Sequence, residues 1–194
     1  MKGIVGLKFI TCSTPEQIRA AQRLRYEVFC VEKGWIDAAK CPGHVESDEL
    51  DEGAVHFLAL EDGVPVGTIR LLLGKNCDLP AAAYLPVEQL GVEPSQMVET
   101  SRLATRRKKR SQDLRVFLGL TTLMWEWAME HDMKVWLVIA DVPLHHMLTR
   151  LGMPEIARGD EIEYLGSKCV PAAFELVGTG FSLRRRATSV TTSR

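Results

Sequence analysis

Met97-Val98-Glu99-Thr100-Ser101-Arg102-Leu103-Ala104-Thr105, followed at once by Arg106-Arg107-Lys108-Lys109-Arg110 and then by a long apolar segment, decides the fold. Strand alternation sets Met97, Glu99, Ser101 and Leu103 on one face and Val98, Thr100, Arg102 and Ala104 on the other. Both faces then carry polar groups, an arrangement that costs free energy unless those groups are paired or used. Such a strand is a candidate functional site. The basic run meets the positive N-terminus of a helix expected near Leu114 to His131, which suits a phosphate or pyrophosphate group. Together these parts suggest acyl transfer from a donor that carries a phosphopantetheine arm.

On the N-terminal side, Leu7 to Thr11 reads as a first strand. Thr14-Pro15-Glu16-Gln17 then gives a helix start, with Thr14 as N-cap, Pro15 at the first helical position and Gln17 closing a capping box. Ile18, Ala21, Leu24, Val28 and Phe29 keep helical spacing, so the helix is expected to run to about Glu32 and stop at Gly34. Trp35 to Asp51 is a long acidic connection, and a loop of that length in a small domain is often functional. Val55 to Leu60 and Val66 to Leu73 flank Glu61-Asp62-Gly63-Val64-Pro65, a hairpin signal. Asp78 to Pro94 holds three prolines around Ala81 to Tyr84 and allows at most a short helix between turns.

Beyond the central helix, the continuous apolar run Lys134 to Ala140 predicts a buried strand. Asp141 caps a further helix through Leu151, stopped by Gly152 and Pro154. Glu161 to Leu165 and Ala172 to Val177 close the sheet. The fold class is α/β, of the α+β kind: one central mixed sheet flanked by helices. Residues 1–183 are expected to form one domain and 184–194 a flexible basic tail.

With 194 residues, 46% of them hydrophobic, the chain suffices for one domain with a sizeable core. The net charge of −1 hides segregation between the acidic stretch Glu46 to Asp62 and the basic stretch Arg102 to Arg115. The basic run has no interleaved aromatics, so nucleic acid is not an expected partner. Cys12, Cys30, Cys41, Cys77 and Cys169 are an odd set without a Cys-x-x-Cys pair, which argues against a disulfide framework or thiolate zinc site and for a reducing cytoplasm. No metal and no membrane span are expected.

The order of elements resembles the GCN5-related N-acetyltransferase fold. Five ordered blocks sharpen the resemblance: Leu24-Arg25-Tyr26-Glu27-Val28-Phe29, Glu32-Lys33-Gly34-Trp35, Glu46-Ser47-Asp48-Glu49-Leu50-Asp51, Gly67-Thr68-Ile69-Arg70-Leu71 and Glu99-Thr100-Ser101-Arg102-Leu103. They look like the acyl-homoserine-lactone synthases and, more closely, the long-chain N-acyl amino acid synthases of environmental bacterial DNA and their exosortase-associated relatives. The similarity spans about residues 18 to 175. The nearer branch is favoured by Leu24-Arg25-Tyr26 with His56-Phe57-Leu58-Ala59, and by Tyr164-Leu165-Gly166 with Val170-Pro171-Ala172. The resemblance implies an acyltransferase domain that moves a long-chain fatty acyl group onto the α-amine of an amino acid, with tyrosine as acceptor.

In place of the glycine-rich coenzyme A loop of acetyltransferases, this chain has Arg106-Arg107-Lys108-Lys109-Arg110-Ser111-Gln112. Such a loop suits an acyl carrier protein, whose acidic surface it would attract. Arg106, Arg107, Lys108, Lys109, Arg110 and Arg115 are therefore the candidate donor-binding residues. No bound cofactor is expected beyond the acyl-phosphopantetheine arm of that carrier.

Amide formation from a thioester needs a neutral amine, a polarised carbonyl and exclusion of water. Glu99 is the candidate general base, acting through one ordered water, because a partly buried carboxylate has a raised pKa. The same spacing also allows Glu99 simply to pair with Arg102 or Arg70. Backbone N–H groups near Ser101 to Ala104 are the candidate oxyanion donors. Glu99 and Arg102 form the catalytic set, with Ser101 and Leu103 on the substrate path. Arg25, Asp48, Asp51 and Arg70 match charged acceptor-side positions of the lactone synthases. They can recognise the amino acid or pin the acidic loop as an ion-pair network. Trp35 can cover an aromatic substrate or serve as core.

Cys30 and Cys169 lack a Cys-His arrangement and read as inert thiols. His145 and His146 read as core or surface groups, and His56 is ambiguous. Two other functions fit the same residues: acyl-homoserine-lactone synthesis, which consumes S-adenosylmethionine, and non-catalytic binding of acyl carrier protein.

Overall fold

Four antiparallel strands enter the sheet in chain order before the chain crosses over: β1 (Leu7–Thr11), β2 (Val55–Glu61), β3 (Val64–Leu73) and β4 (Met97–Thr105). The structure, a computed structural model, describes residues 6–106 and 110–176. The predicted tail therefore lies outside the described residues. Helix α2 (Arg110–Glu130) carries the chain over the sheet to β5 (Val135–Asp141), which pairs parallel to β4. A parallel neighbour requires such a crossover. Helix α3 (Val142–Arg150) follows, capped by Asp141, which accepts from Leu144 N at 2.8 Å. The sheet closes with β6 (Glu155–Arg158), β7 (Ile162–Tyr164) and β8 (Ser167–Glu175), the last lying between β5 and β6.

Helix α1 (Pro15–Arg25) has the capping box expected of Thr14 and Gln17. It is not one α-helix to Glu32, however. From Tyr26 to Glu32 the winding widens to a π-helical turn, closed by Lys33 N donating to Val28 O at 3.0 Å. Over so short a stretch the apolar spacing cannot separate the two windings. Single π turns inside helices are frequent at functional sites.

Two sheet elements also differ from expectation. Strand β6 has the pattern Glu-Ile-Ala-Arg, and its Ile156 is exposed, so it lacks the apolar signature of a core strand. Strand β8 begins five residues before Ala172 and contains Pro171. Proline is tolerated because its side of β8 faces the gap between β6 and β7, where Pro171 O accepts from Gly159 N at 2.9 Å.

One face of the sheet is packed by α2 and α3 through Val116, Leu120, Met124, Trp136 and Leu148. A Cβ on Gly119 would stand 2.0 Å from the Phe9 ring, so any other residue there would force that ring to shift. The other face is covered by α1, the π-helical turn and the two irregular loops, with Leu72, Leu79, Met97 and Leu137 as its core. Among the described residues no helix is long and apolar enough to cross a membrane.

Candidate active site

Two backbone irregularities open a space beside β4. The strand pairs with β5 only from Met97↔Val135 to Thr100↔Val138, after which the register ends. On its other edge, Arg70 pairs with Ser101 and Thr68 with Ala104, so Arg102 and Leu103 together oppose Ile69. That is a β-bulge, and Arg102 takes φ +55° to make it. The bulge breaks the alternation, so Ser101 and Arg102 both reach toward the loop-covered face.

Where β4 and β5 part, a cavity of about 180 Å³ passes through the sheet. A single water needs roughly 10–15 Å³, so the space fits an extended organic group. On the helix face it is apolar, lined by Ile69, Phe117, Val138, Leu144 and Leu148. On the loop face it meets Glu99, Ser101, Arg102, Trp35 and Tyr164.

Glu99 is 2% exposed, and its Oε2 accepts from Ala81 N at 2.8 Å. Neither alternative pairing is made: among the described residues no cation forms an ion pair with it. Burial raises its pKa to about 7, against the opposing effects of the Ala81 N–H and the Arg70 charge. A carboxyl poised there can take up and release a proton near neutral pH.

Arg70 and Arg102 are instead engaged with the acidic loop. Arg102 donates from Nε to Glu46 at 3.0 Å and from Nη2 to Asp48 at 2.8 Å. Arg70 contacts Asp48, donates from Nη1 to Asp51 at 2.7 Å, and donates from Nε to Ser101 Oγ at 3.0 Å. Arg25, wholly buried, pairs with Glu46 and makes a fork of 2.7 and 3.0 Å with Asp51. Three arginines and three carboxylates thus form one network that ties α1, β3 and β4 to residues 46–51. Burial would raise Asp51, but the hydrogen bonds and charges of Arg25 and Arg70 hold it well below the usual carboxylate range. Arg25, Asp48, Asp51 and Arg70 stand behind the cavity wall rather than in it.

Trp35 stacks on Phe29 with centroids 6.0 Å apart and forms part of the mouth with Leu165. Arg106 Nε donates to Glu27 at 2.8 Å, and Arg115 is exposed on α2. Arg107, Lys108 and Lys109 lie outside the described residues, and Arg110 provides the first residue of α2.

Burial pushes the Cys30 thiol up to about 12, and Cys169, which unlike Cys30 lines the cavity, is raised by the same cause. Neither is an activated nucleophile. His145 is buried and lies 2.6 Å from Glu155, joining α3 to β6. Burial, with the charges of Arg25 and Arg70, lowers His56 below its ordinary value despite Asp51, which favours the neutral ring. Among the described residues no group of three or more His, Cys, Asp or Glu side chains could hold a metal ion.

Sequence reasoning missed Glu46, Tyr164 and Thr121 as site residues. Glu46 belongs to an acidic block of the sequence, yet only the fold shows that it bridges Arg25 and Arg102. Tyr164 sits before the β7–β8 turn, half-buried, where burial and the Glu99 charge raise its pKa despite the nearby arginines.

The model of the N-acyl amino acid synthase FeeM family matches residues 20–174, which contain every part of this site. The chain belongs to that family. A search of curated proteins gives no match. Among solved structures, FeeM itself, from uncultured soil microbes, is 16% identical with TM-score 0.69, covering 91% of this chain and 93% of that one. A coenzyme A-dependent acyl-homoserine lactone synthase, BjaI, solved with S-adenosylmethionine and isopentyl-CoA, is 20% identical with TM-score 0.75, covering 94% and 90%. A Lactobacillus plantarum protein assigned to the N-acetyltransferases is 18% identical with TM-score 0.61, covering 89% and 99%. The fold of this FeeM-family acyltransferase is thus the expected N-acetyltransferase fold.

Proposed function

We propose that this chain transfers a long-chain fatty acyl group from the phosphopantetheine arm of acyl carrier protein to the α-amine of an amino acid, tyrosine being the acceptor that the resemblance implies. The observation that carries this reading is the cavity through the sheet, apolar on the helix face and holding a buried, poised carboxyl on the other. An acyl chain suits the first half, since each buried methylene contributes about 0.8 kcal/mol without any polar recognition. The amine suits the second, where Glu99 takes its proton through one water. The free nitrogen then attacks the thioester carbonyl, and the oxyanion meets backbone N–H groups beside the bulge at Arg102 and Leu103, which lie outside the regular ladder. Collapse of the tetrahedral intermediate breaks the C–S bond, and the proton shed by the newly acylated nitrogen goes to the departing thiolate. We place the reaction in a reducing cytoplasm, in accord with five free thiols.

Mass spectrometry of organic extracts from a bacterium expressing the chain tests this reading. An N-acyl amino acid absent from cells expressing Glu99→Gln is the expected product. A lactone requiring S-adenosylmethionine would replace the reading with lactone synthesis, and no product from any donor would leave a binding module.

The donor is tested through the basic run. Neutralising Arg106, Arg107, Lys108, Lys109 and Arg110 in pairs is expected to slow use of acyl carrier protein, with a loss that shrinks as salt rises. Attraction between exposed charges is screened over about 10 Å at 0.1 M ionic strength. Use of acyl-CoA should suffer only where the lost residue lies nearest the helix start. If every paired variant uses acyl carrier protein as well as wild type at low salt, acyl-CoA becomes the better donor.

A further inference from the structure

The apolar half of the cavity contains one anomaly. Thr121 lies on α2 one turn beyond Phe117, is 3% exposed, and lines the cavity with Phe117, Trp136, Val138 and Leu148. Its Oγ1 is buried and has no hydrogen-bond partner among the described residues. Helical threonines can satisfy the hydroxyl at the carbonyl one turn back. Thr149 does so in α3, donating to His145 O at 3.0 Å. The Thr100 hydroxyl, on the same face of the sheet, accepts from Trp136 Nε1 at 2.8 Å. Thr121 is the exception among the three.

A buried hydroxyl without a partner destabilises the fold, and valine would present nearly the same shape without that cost. The cost is recovered when a ligand brings an oxygen to the site. We propose that Thr121 makes this cavity select acyl chains that carry a hydroxyl or keto oxygen over plain chains of equal length. The proposal rests on the reading that the acyl group occupies the helix-face half of the cavity. A keto oxygen would accept from the Thr121 hydroxyl, and a chain hydroxyl could donate or accept. Either restores a hydrogen bond that a saturated methylene cannot, and a site holding a buried polar group discriminates sharply against the ligand that leaves it unpaired.

The test is direct competition between thioester donors of one chain length, plain, hydroxylated at successive carbons, or bearing a keto group, with kcat/KM ratios read from the product mixture. Wild type is expected to prefer one oxygenated donor at least about tenfold. Thr121→Val should abolish that ratio, while Thr121→Ser, which keeps the hydroxyl, should retain it. Equal use of all donors by wild type, or the same ratio in Thr121→Val, overturns the proposal. If no donor is consumed at all, the acyl-transfer reading itself fails. Quenching of tryptophan fluorescence by free hydroxy and plain fatty acids then decides the Thr121 assignment separately. A wild-type preference lost in Thr121→Val supports it, and equal or absent binding of the two overturns it.

Discussion

Glu99→Gln should lower kcat/KM by about 100-fold or more, the scale of losing a general base, while raising thermal stability above neutral pH. The two effects have one cause. Glutamine keeps an oxygen that can accept from Ala81 N–H but cannot take a proton from the incoming ammonium. In wild type the folded carboxyl titrates near 7 against the ordinary 4.5, so the folded state holds its proton longer than the unfolded chain. Stability is then unaffected below about pH 4.5, falls as pH rises between the two values, and carries the full penalty above 7. That penalty is roughly 3 kcal/mol, because each pKa unit corresponds to about 1.36 kcal/mol.

The difference in Tm between variant and wild type should therefore be small at pH 4.5 and reach its plateau above pH 7. Wild-type kcat/KM should rise with pH through about 7, where the base form appears, and the variant should lack that limb. Activity assays and calorimetry across this range check both. A folded variant that keeps wild-type turnover would remove Glu99 from catalysis. A flat Tm difference would mean instead that Glu99 is ionised throughout and not poised.

The outline of this site was legible because its chemistry violates the strand pattern. Glu99, Ser101 and Arg102 on a nine-residue strand between apolar neighbours cannot be ordinary core. Their partners were not legible. Arg102 ends on the same face as Ser101 only because the bulge inserts a residue, and alternation assigns it to the opposite face. The Ala81 N–H that holds Glu99 comes from a short turn after Pro80, where no side-chain pattern signals a backbone donor. Most elements were legible from caps, hairpin turns and apolar runs. The π-helical turn and the edge strand β6 were not, since the first differs from an α-helix only in winding and the second buries too little to leave an apolar signature.

Arg25→Ala should be among the most destabilising single substitutions in this chain, at about 3–5 kcal/mol, and should also loosen the acidic loop. The magnitude follows from what is left behind. Arg25 is wholly buried, and its removal strips partners from Glu46 and from both oxygens of Asp51 while those carboxylates stay covered. Arg70 and Arg102 remain, but they already serve Asp48 as well. An exposed pair would be worth at most about 1 kcal/mol, so the depth of the network decides the size of the effect. For a chain of this length each kcal/mol moves Tm by roughly 2–4 °C, which gives a fall of about 6–20 °C at pH 7.

The pH dependence identifies the cause. Asp51 is held below its unfolded pKa, so its stabilisation is present above the ordinary carboxylate range and is lost as pH falls toward the depressed folded value. Without Arg25 that depression is partly released, and protonation relieves the stranded carboxylate. The Tm gap between wild type and Arg25→Ala should accordingly narrow below about pH 4. Because residues 46–51 hold Arg102 at the cavity, the variant should also bind its acceptor less well, seen as a raised acceptor KM at temperatures where it is folded. Calorimetry at neutral and acid pH with acceptor kinetics decides the matter. A Tm within about 2 °C of wild type would mean that the network is solvated rather than buried, and a gap that does not narrow on acidification would mean that lost packing of the arginine stem, not lost charge, is what the substitution costs.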